Sequence, residues 1–254
     1  MGARLEGKRA LVTGAGAGIG EAIARRFADE GATVLLVDRA GEACESVARA
    51  IGGRAFTLDV SREDEVAALF HACGEGGDGL DVLVNNAGIV PPRVDAEAMD
   101  MALWDAVQAV NVRGVILCIK YAIPLLKKRQ GTIVNMASLS GFQGRRGHSP
   151  YSASKFAVRA ITESVAQEVG GYGIRVNSLC PGTVGTASMH ARIAARAAKE
   201  KRDPDELLQT EFVGDAVLGR VIEPAEIADA ALFLASDAAS AITGEHLRID
   251  AGRR

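Results

Sequence analysis

The chain has few of the features that mark a secreted, metal-bound or nucleic-acid-binding protein. Its four cysteines, Cys44, Cys73, Cys118 and Cys180, lie far apart and form no C-x-x-C pair. Neither a disulfide framework nor a zinc or other metal site is therefore expected, and reduced, mostly buried thiols are. Residues 1–8 hold no apolar leader segment, and the longest apolar runs are broken by charge before membrane-spanning length. A soluble cytoplasmic protein with no membrane partner is the expectation. The formal net charge is only −3, and the basic clusters at 127–129 and 199–202 are interleaved with or followed by neutral and acidic residues. Without a basic stripe, nucleic acid is not an expected partner. Aromatic residues make up 4% of the chain against 48% hydrophobic and 24% charged, so the core has to be built from Ala, Val, Leu and Ile.

No Pro/Gly/Ser-rich linker, low-complexity tract or fixed-period repeat divides the 254 residues. Open α/β sheets commonly fill this length with a single core, so one domain over 1–254 is expected. Short apolar β-type runs recur at 10–13, 33–37, 55–58, 82–84, 132–136, 175–179 and 246–249. Between them, 19–29, 66–73, 103–126, 156–169 and 225–234 carry apolar residues at helical spacing. Strands apolar on both faces and joined by helix-length crossovers predict a doubly wound α/β fold, a parallel sheet of about seven strands covered by helices on both sides. One segment breaks the rhythm. Residues 186–212, between the sixth and seventh strands, are polar, Ala-rich and helical in pattern. Two readings stand for it, a helical insertion that closes over a ligand at the carboxyl ends of the strands, or a helix that caps the sheet edge.

The first strand candidate runs into Gly14-Ala15-Gly16-Ala17-Gly18-Ile19-Gly20 and then into a helix. Glycines allow a sharp turn and close approach of backbone to a pyrophosphate, which the free amides and dipole of the helix start attract. An acid about twenty residues on, Asp38, closes the second strand, where it would accept hydrogen bonds from ribose hydroxyls and repel the additional phosphate of NADP. Ala17 offers that phosphate no cation, whereas Arg39 could; Asp38 and Ala17 together favour NAD. The second constellation is Tyr151-Ser-Ala-Ser-Lys155, with Ser138 at the end of the fifth strand. Positions i and i+4 share a helix face, so the ammonium is expected beside the phenol, favouring phenolate and making the tyrosine a usable acid and base.

These motifs together make the chain resemble the short-chain dehydrogenase/reductase family over essentially its whole length. The matching features are Thr13-Gly14-x-x-x-Gly18-Ile19-Gly20, Asp59-Val60, Asn85-Asn86-Ala87-Gly88, Asn111 in Asn-Val-Arg-Gly, Ser138, Tyr151, Lys155, Pro181-Gly182 and Thr243-Gly244. The resemblance implies further roles. Ser138 and Tyr151 would hold a substrate hydroxyl, and Tyr151 would take its proton as hydride leaves the carbon. Asp59 and Val60 would contact adenine, and Asn86, Ala87 and Gly88 would line the ribose and brace the sheet. The turn from Pro181 through Gly182 and Val184 to Thr186 would hold the nicotinamide carboxamide, and Lys155 the nicotinamide ribose. Asn111 would sit in a distorted helix and bind a water linking Lys155 to solvent. A homotetramer is implied as well, through the two long helices and the last strand.

Substrate contacts are expected from 142–150, which carries Arg145, Arg146 and His148, and from the insertion, which carries Met189, His190 and Arg192. Arginine binds carboxylates in a planar fork. The stretch 180–193 resembles that of family members acting on short hydroxy acids and deoxy sugar acids, in which an arginine at the place of Arg192 would meet the acid group. This chain departs from the hydroxybutyrate enzymes in having His148 where they tend to carry arginine. The expected activity is thus NAD-dependent interconversion of a secondary alcohol and a ketone on a small acidic molecule. An NADPH-dependent reductase of 3-ketoacyl thioesters would use the same three catalytic residues, and a nucleotide-binding protein without turnover is a third reading.

Overall fold

The computed structural model describes residues 3–75 and 77–253; Met1, Gly2, Gly76 and Arg254, and with them both ends of the expected 1–254 domain, lie outside the described residues. Seven strands, β1 (Arg9–Thr13), β2 (Thr33–Asp38), β3 (Arg54–Thr57), β4 (Val82–Asn85), β5 (Thr132–Met136), β6 (Arg175–Pro181) and β7 (His246–Ile249), form one parallel sheet in the order β3-β2-β1-β4-β5-β6-β7. This is the doubly wound fold expected from the alternating pattern. The order reverses between β1 and β4, the point at which a crevice opens beyond the carboxyl ends of the strands.

Register explains why the strands read as unbroken apolar runs. Leu35, Leu11, Leu83, Ile133 and Val176 lie side by side across the sheet and face one core; their neighbours Leu36, Val12, Val84 and Val134 face the other. Each such buried side chain contributes about 1.5–3 kcal/mol. Helices α1 (Gly18–Asp29), α2 (Gly41–Ile51) and α9 (Pro224–Ala235) cover the face that holds Val12, and α3 (Glu63–Gly74), α5 (Gly114–Lys127) and α6 (Ser149–Val169) cover the other. The helix α2 is absent from the sequence expectation, although Cys44, Val47, Ala48 and Ile51 stand at i, i+3, i+4 and i+7 and pack into the core. Polar side chains pin the sheet where it is dry. Asn85 donates to Asn135 at 2.9 Å, Asn135 to Thr162 at 3.0 Å, and Asn177 holds the approach to β7 through Ile242 and Glu245.

The helix α4 (Met101–Gln108) runs through a π turn, Ala109–Arg113, into α5 without a break. Met101–Lys127 contains an 18-residue stretch of mean hydropathy 1.6, enough by length and composition alone to cross a membrane, although Asp105, Arg113 and Lys120 break its apolar runs. Here it lies against the sheet with Leu117, Cys118, Ile119, Ala122 and Leu126 buried.

The insertion between β6 and α9 forms α7 (Ala187–Glu200), α8 (Pro204–Leu208) and a second π turn, Gln209–Val213. Thr186 caps α7 by accepting from Met189 N at 3.2 Å, and Asp203 caps α8 ahead of Pro204. Met189, Ile193, Ala197 and Leu207 give this segment a small core of its own, joined by Phe212.

Phe27 is fully buried on α1, in the core that α1 shares with α9. Phe27→Ala is expected to lower the unfolding free energy by about 3–5 kcal/mol, read from the urea midpoint. At the exposed Met101 the same truncation should stay within about 0.5 kcal/mol.

Candidate active site

A cleft of about 620 Å³ runs along the carboxyl ends of the strands. Of the site residues expected from sequence, Gly14, Gly18, Ile19, Asp38, Asp59, Val60, Asn86, Ala87, Gly88, Ser138, His148, Tyr151, Lys155, Pro181, Gly182, Val184, Thr186 and Arg192 all line it. Asn111 lies beneath its floor, fully buried.

At one end the glycine loop leaves β1 with Gly14 at φ +65 and Gly18 at φ +60, conformations open to glycine. A Cβ on Gly14 would stand 2.9 Å from both Ala87 Cα and Asn86 Nδ2, and one on Gly20 would run into the Gly14 carbonyl. Asn86 Nδ2 donates to Thr13 O at 2.9 Å and Gly14 O at 3.0 Å, while the amides of Asn86 and Ala87 both donate to Thr13 Oγ1 at 3.0 Å. The loop is thereby clamped to the end of β4. Asp38 accepts from Gly16 N and Ala40 N, each at 2.9 Å, which holds its carboxylate beside the loop. Ala17 at the start of α1 supplies no side-chain cap, leaving the first amides of the helix free to meet an anion. Loop, uncapped helix and ribose-height carboxylate fit a nicotinamide dinucleotide. Arg39 lines the same end. Burial pushes the Asp59 carboxyl up, but bonds from Ser61 N at 2.9 Å and Ser61 Oγ at 2.7 Å, with Arg39 and Arg62 nearby, hold it below its usual range.

In the middle, Ser138 follows β5 and accepts from Ser140 N at 3.1 Å. With Pro150 at its start, α6 places Tyr151 in its first turn and Lys155 one turn further on. Lys155 Nζ, 4% exposed, donates to Met136 O at 2.7 Å and lies 5.6 Å from the Tyr151 ring centroid. Burial pulls the ammonium down to about 8. Burial also pushes the Tyr151 phenol above its usual value; a hydrogen bond from Ser138 and the Arg192 cation oppose this without reversing it. The shared helix face brings the two groups together, with the ammonium held by the Met136 carbonyl, and Arg192 is a further cation acting on the phenol. Asn111 sits in the π turn, as expected of a distorted helix. Its Oδ1 accepts from Ile89 N at 2.7 Å and its Nδ2 donates to Ile89 O and Ser154 Oγ at 3.0 and 3.1 Å. One lone pair of Oδ1 remains, and a Cβ on Gly88 would touch both that oxygen, at 3.3 Å, and Lys155 Nζ, at 3.7 Å.

At the far end the cleft turns basic. Arg93, Arg145, Arg192 and Arg253 line it with His148, Met189, Glu211 and Phe212. Arg93 Nε donates to His148 Nε2 at 3.0 Å, which puts the ring proton on Nδ1; this atom is buried with no partner among the described residues. The imidazole meets the Tyr151 ring edge to face at 6.2 Å. Burial, then Arg93, Arg145, Arg192 and Arg196, push His148 down to about 4. Glu211 gathers cations of its own, Arg196 through two bonds of 2.6 and 2.8 Å, Arg202 at 2.9 Å and Arg93 at 3.4 Å. Arg253 is 5% exposed and donates to Thr183 Oγ1 and Glu211 O, each at 3.0 Å. Of the residues expected here, Arg146 faces away, paired with Asp95 at 3.0 Å, and His190 does not line the cleft. Arg93, Glu211 and Arg253 were not anticipated. They carry no local motif and meet only because the loop after β4, the insertion and the chain end converge at one edge of the sheet.

Comparison with known proteins is consistent along the chain. A family model described as enoyl-(acyl carrier protein) reductase matches residues 14–254. Meso-2,3-butanediol dehydrogenase of Serratia marcescens is 39% identical, over 98% of this chain and 95% of its own. Dehydrogenase/reductase SDR family member 6 of Danio rerio is 38% identical, over 99% of each chain. The crystal structure of levodione reductase superposes with a TM-score of 0.90 at 33% identity, covering 98% of both chains.

The His148 environment has a consequence for stability. The unfolded chain takes up a proton near the ordinary value of 6.5 and the folded chain only near about 4. Between those values the unfolded state binds more protons, so stability present above 6.5 is lost as pH falls through this window. His148→Gln is expected to flatten that part of the profile, seen as a smaller fall in melting temperature on acidification. An unchanged fall would mean that the imidazole titrates as if solvated.

Proposed function

Because the chain belongs to the short-chain dehydrogenase/reductase family, and is thus an oxidoreductase of alcohols and ketones working with a nicotinamide cofactor, we propose that it uses NAD. We further propose Tyr151 as its proton-handling residue and a small hydroxy acid or sugar acid as its substrate. One observation carries this reading: Ser138, Tyr151 and Arg192 face the same cleft as the glycine loop and Asp38.

Gly14, Gly18 and Ile19 would hold the pyrophosphate, Asp38 the adenosine ribose, and Asp59 with Val60 the adenine. Asn86, Ala87, Gly88, Tyr151 and Lys155 would hold the nicotinamide ribose, and Pro181, Gly182, Val184 and Thr186 the carboxamide. The bound cofactor supplies the hydride acceptor or donor. In oxidation Ser138 and Tyr151 hold the substrate hydroxyl, and the phenol oxygen of Tyr151 takes its proton; in reduction the phenol returns it. Lys155, lowered to about 8, is placed to pass that proton on near neutral pH, with the remaining lone pair of Asn111 Oδ1 available to a relay water. Arg192, which has no ion pair among the described residues, meets the substrate carboxylate, and segment 186–212 covers it. The whole chain acts as one domain in a cytoplasmic homotetramer. The exposed Phe156 on α6 and Leu247 on β7 support contacts there, and four free buried cysteines suit a reducing compartment.

A second reading, reduction of 3-ketoacyl thioesters with NADPH, draws on Arg39 beside Asp38. The reading without turnover is set aside, since the relatives are named for dehydrogenase or reductase activity.

Titrating the purified protein with both reduced cofactors decides the first point. NADH is expected to bind at least about tenfold more tightly, and Asp38→Ala to remove most of the difference; a preference for NADPH would put the thioester reading first. Tyr151→Phe is expected to cut turnover by about a thousandfold, far more than the loss of NADH affinity from the missing ribose contact. Near wild-type turnover in that variant would remove Tyr151 from the chemistry.

A further inference from the structure

The substrate end of the cleft holds more positive charge than one carboxylate can meet. Four arginines, Arg93, Arg145, Arg192 and Arg253, line it against a single acid, Glu211, which is already shared by Arg93, Arg196 and Arg202. Arg253 is anchored on Thr183 and the backbone of 211–212 and paired with Asp215 at 3.6 Å. Arg145 and Arg192 have no hydrogen-bonded or ionic side-chain partner among the described residues. They stand on different elements, Arg145 on the loop before α6 and Arg192 on α7, and they mark different places. Arg192 acts on Tyr151, whereas Arg145 is opposed by Arg253 and Arg93 and offset only by Asp215, an acid already paired with Arg253. His148 lies within reach of both, with its Nδ1–H buried and unpartnered among the described residues.

A half-buried guanidinium facing other cations is unfavourable unless an anion completes it. A substrate with one carboxylate on Arg192 would leave Arg145 in that condition. We propose that the substrate is a dianion, a secondary alcohol or ketone whose first carboxylate meets Arg192 near Tyr151 and whose second oxyanion, a carboxylate or a phosphate ester, meets Arg145, with His148 Nδ1 as a neutral donor between them. Arg145 is then the residue that selects dianions over monoacids. The inference rests on the reading of Arg192 as the first carboxylate contact.

Inert anions test it without knowledge of the true substrate. The full-length protein, saturated with whichever reduced cofactor it binds more tightly, is titrated calorimetrically with butanoate, butanedioate, pentanedioate and 3-phosphonopropanoate. A dianion is expected to bind at least about tenfold more tightly than butanoate. Arg145→Gln should remove most of that preference, and Arg145→Lys, which keeps the charge, should retain a good part of it. Tighter binding of 3-phosphonopropanoate than of either dicarboxylate assigns a phosphate ester to the second position; the reverse assigns a carboxylate. Equal binding of monoanions and dianions to the wild type, or a preference that survives in Arg145→Gln, would overturn the proposal. Binding of all these anions unaltered by Arg192→Gln, or no binding at all, is a distinct result, which overturns the acidic-substrate reading beneath it.

Discussion

The clamp between the first and fourth strands is the interaction on which the rest of the site depends. Asn86 Nδ2 holds the carbonyls of Thr13 and Gly14, and Thr13 Oγ1 receives the amides of Asn86 and Ala87. It closes the sheet at the place where strand order reverses and where backbone groups would otherwise be left unpaired in a dry crevice. From it the structure continues outward without a gap. Asn111 grips Ile89 on one side and Ser154 on the other, so the loop after β4 is tied to α6, the helix that carries Tyr151 and Lys155. A shift of the glycine loop would be felt at the tyrosine through a handful of hydrogen bonds.

Charge is laid out along the cleft in one direction. Asp38 and Asp59 stand at the end where the glycine loop approaches, and the arginines stand at the other. Between them burial acts on both titrating groups toward the neutral form, lowering Lys155 and raising Tyr151. For Lys155 this moves the group toward the pH at which it can exchange a proton, whereas burial moves the Tyr151 phenol away from it and the hydrogen bond from Ser138 and the Arg192 cation oppose that shift. The cationic wall around His148 keeps that imidazole neutral in the same way, as a donor and not as a charge.

Much of this was legible in one dimension. Period and composition marked all seven strands to within a few residues, because strands buried on both faces leave an unbroken apolar signature. The glycine loop, Asp38, Ser138, Tyr151 and Lys155 stood out because their spacing is imposed by local geometry: a strand, a tight turn, a helix start, one turn of helix. The helix α2 was overlooked although its apolar stripe is regular, since it is short and flanked by charged residues. The 103–126 stretch was legible as helix despite Asp105, Arg113 and Lys120, because these charges are exposed and leave intact the apolar face that packs on the sheet.

Sequence alone made legible the alternation of strand and helix, the glycine loop between β1 and α1, and the shared helix face of Tyr151 and Lys155, since each is written in residues near one another in the chain. Tertiary structure decided the direction in which Lys155 points, the burial that shifts Tyr151 and His148 toward their neutral forms, and the assembly of the basic end of the cleft. Arg93, Arg145, Arg192, Glu211 and Arg253 come from four separate stretches, and nothing in any one of them records the others. Electrostatic effects fall off over a few ångströms of space, whatever the distance along the chain, so they exist only once the sheet has brought those stretches to one edge.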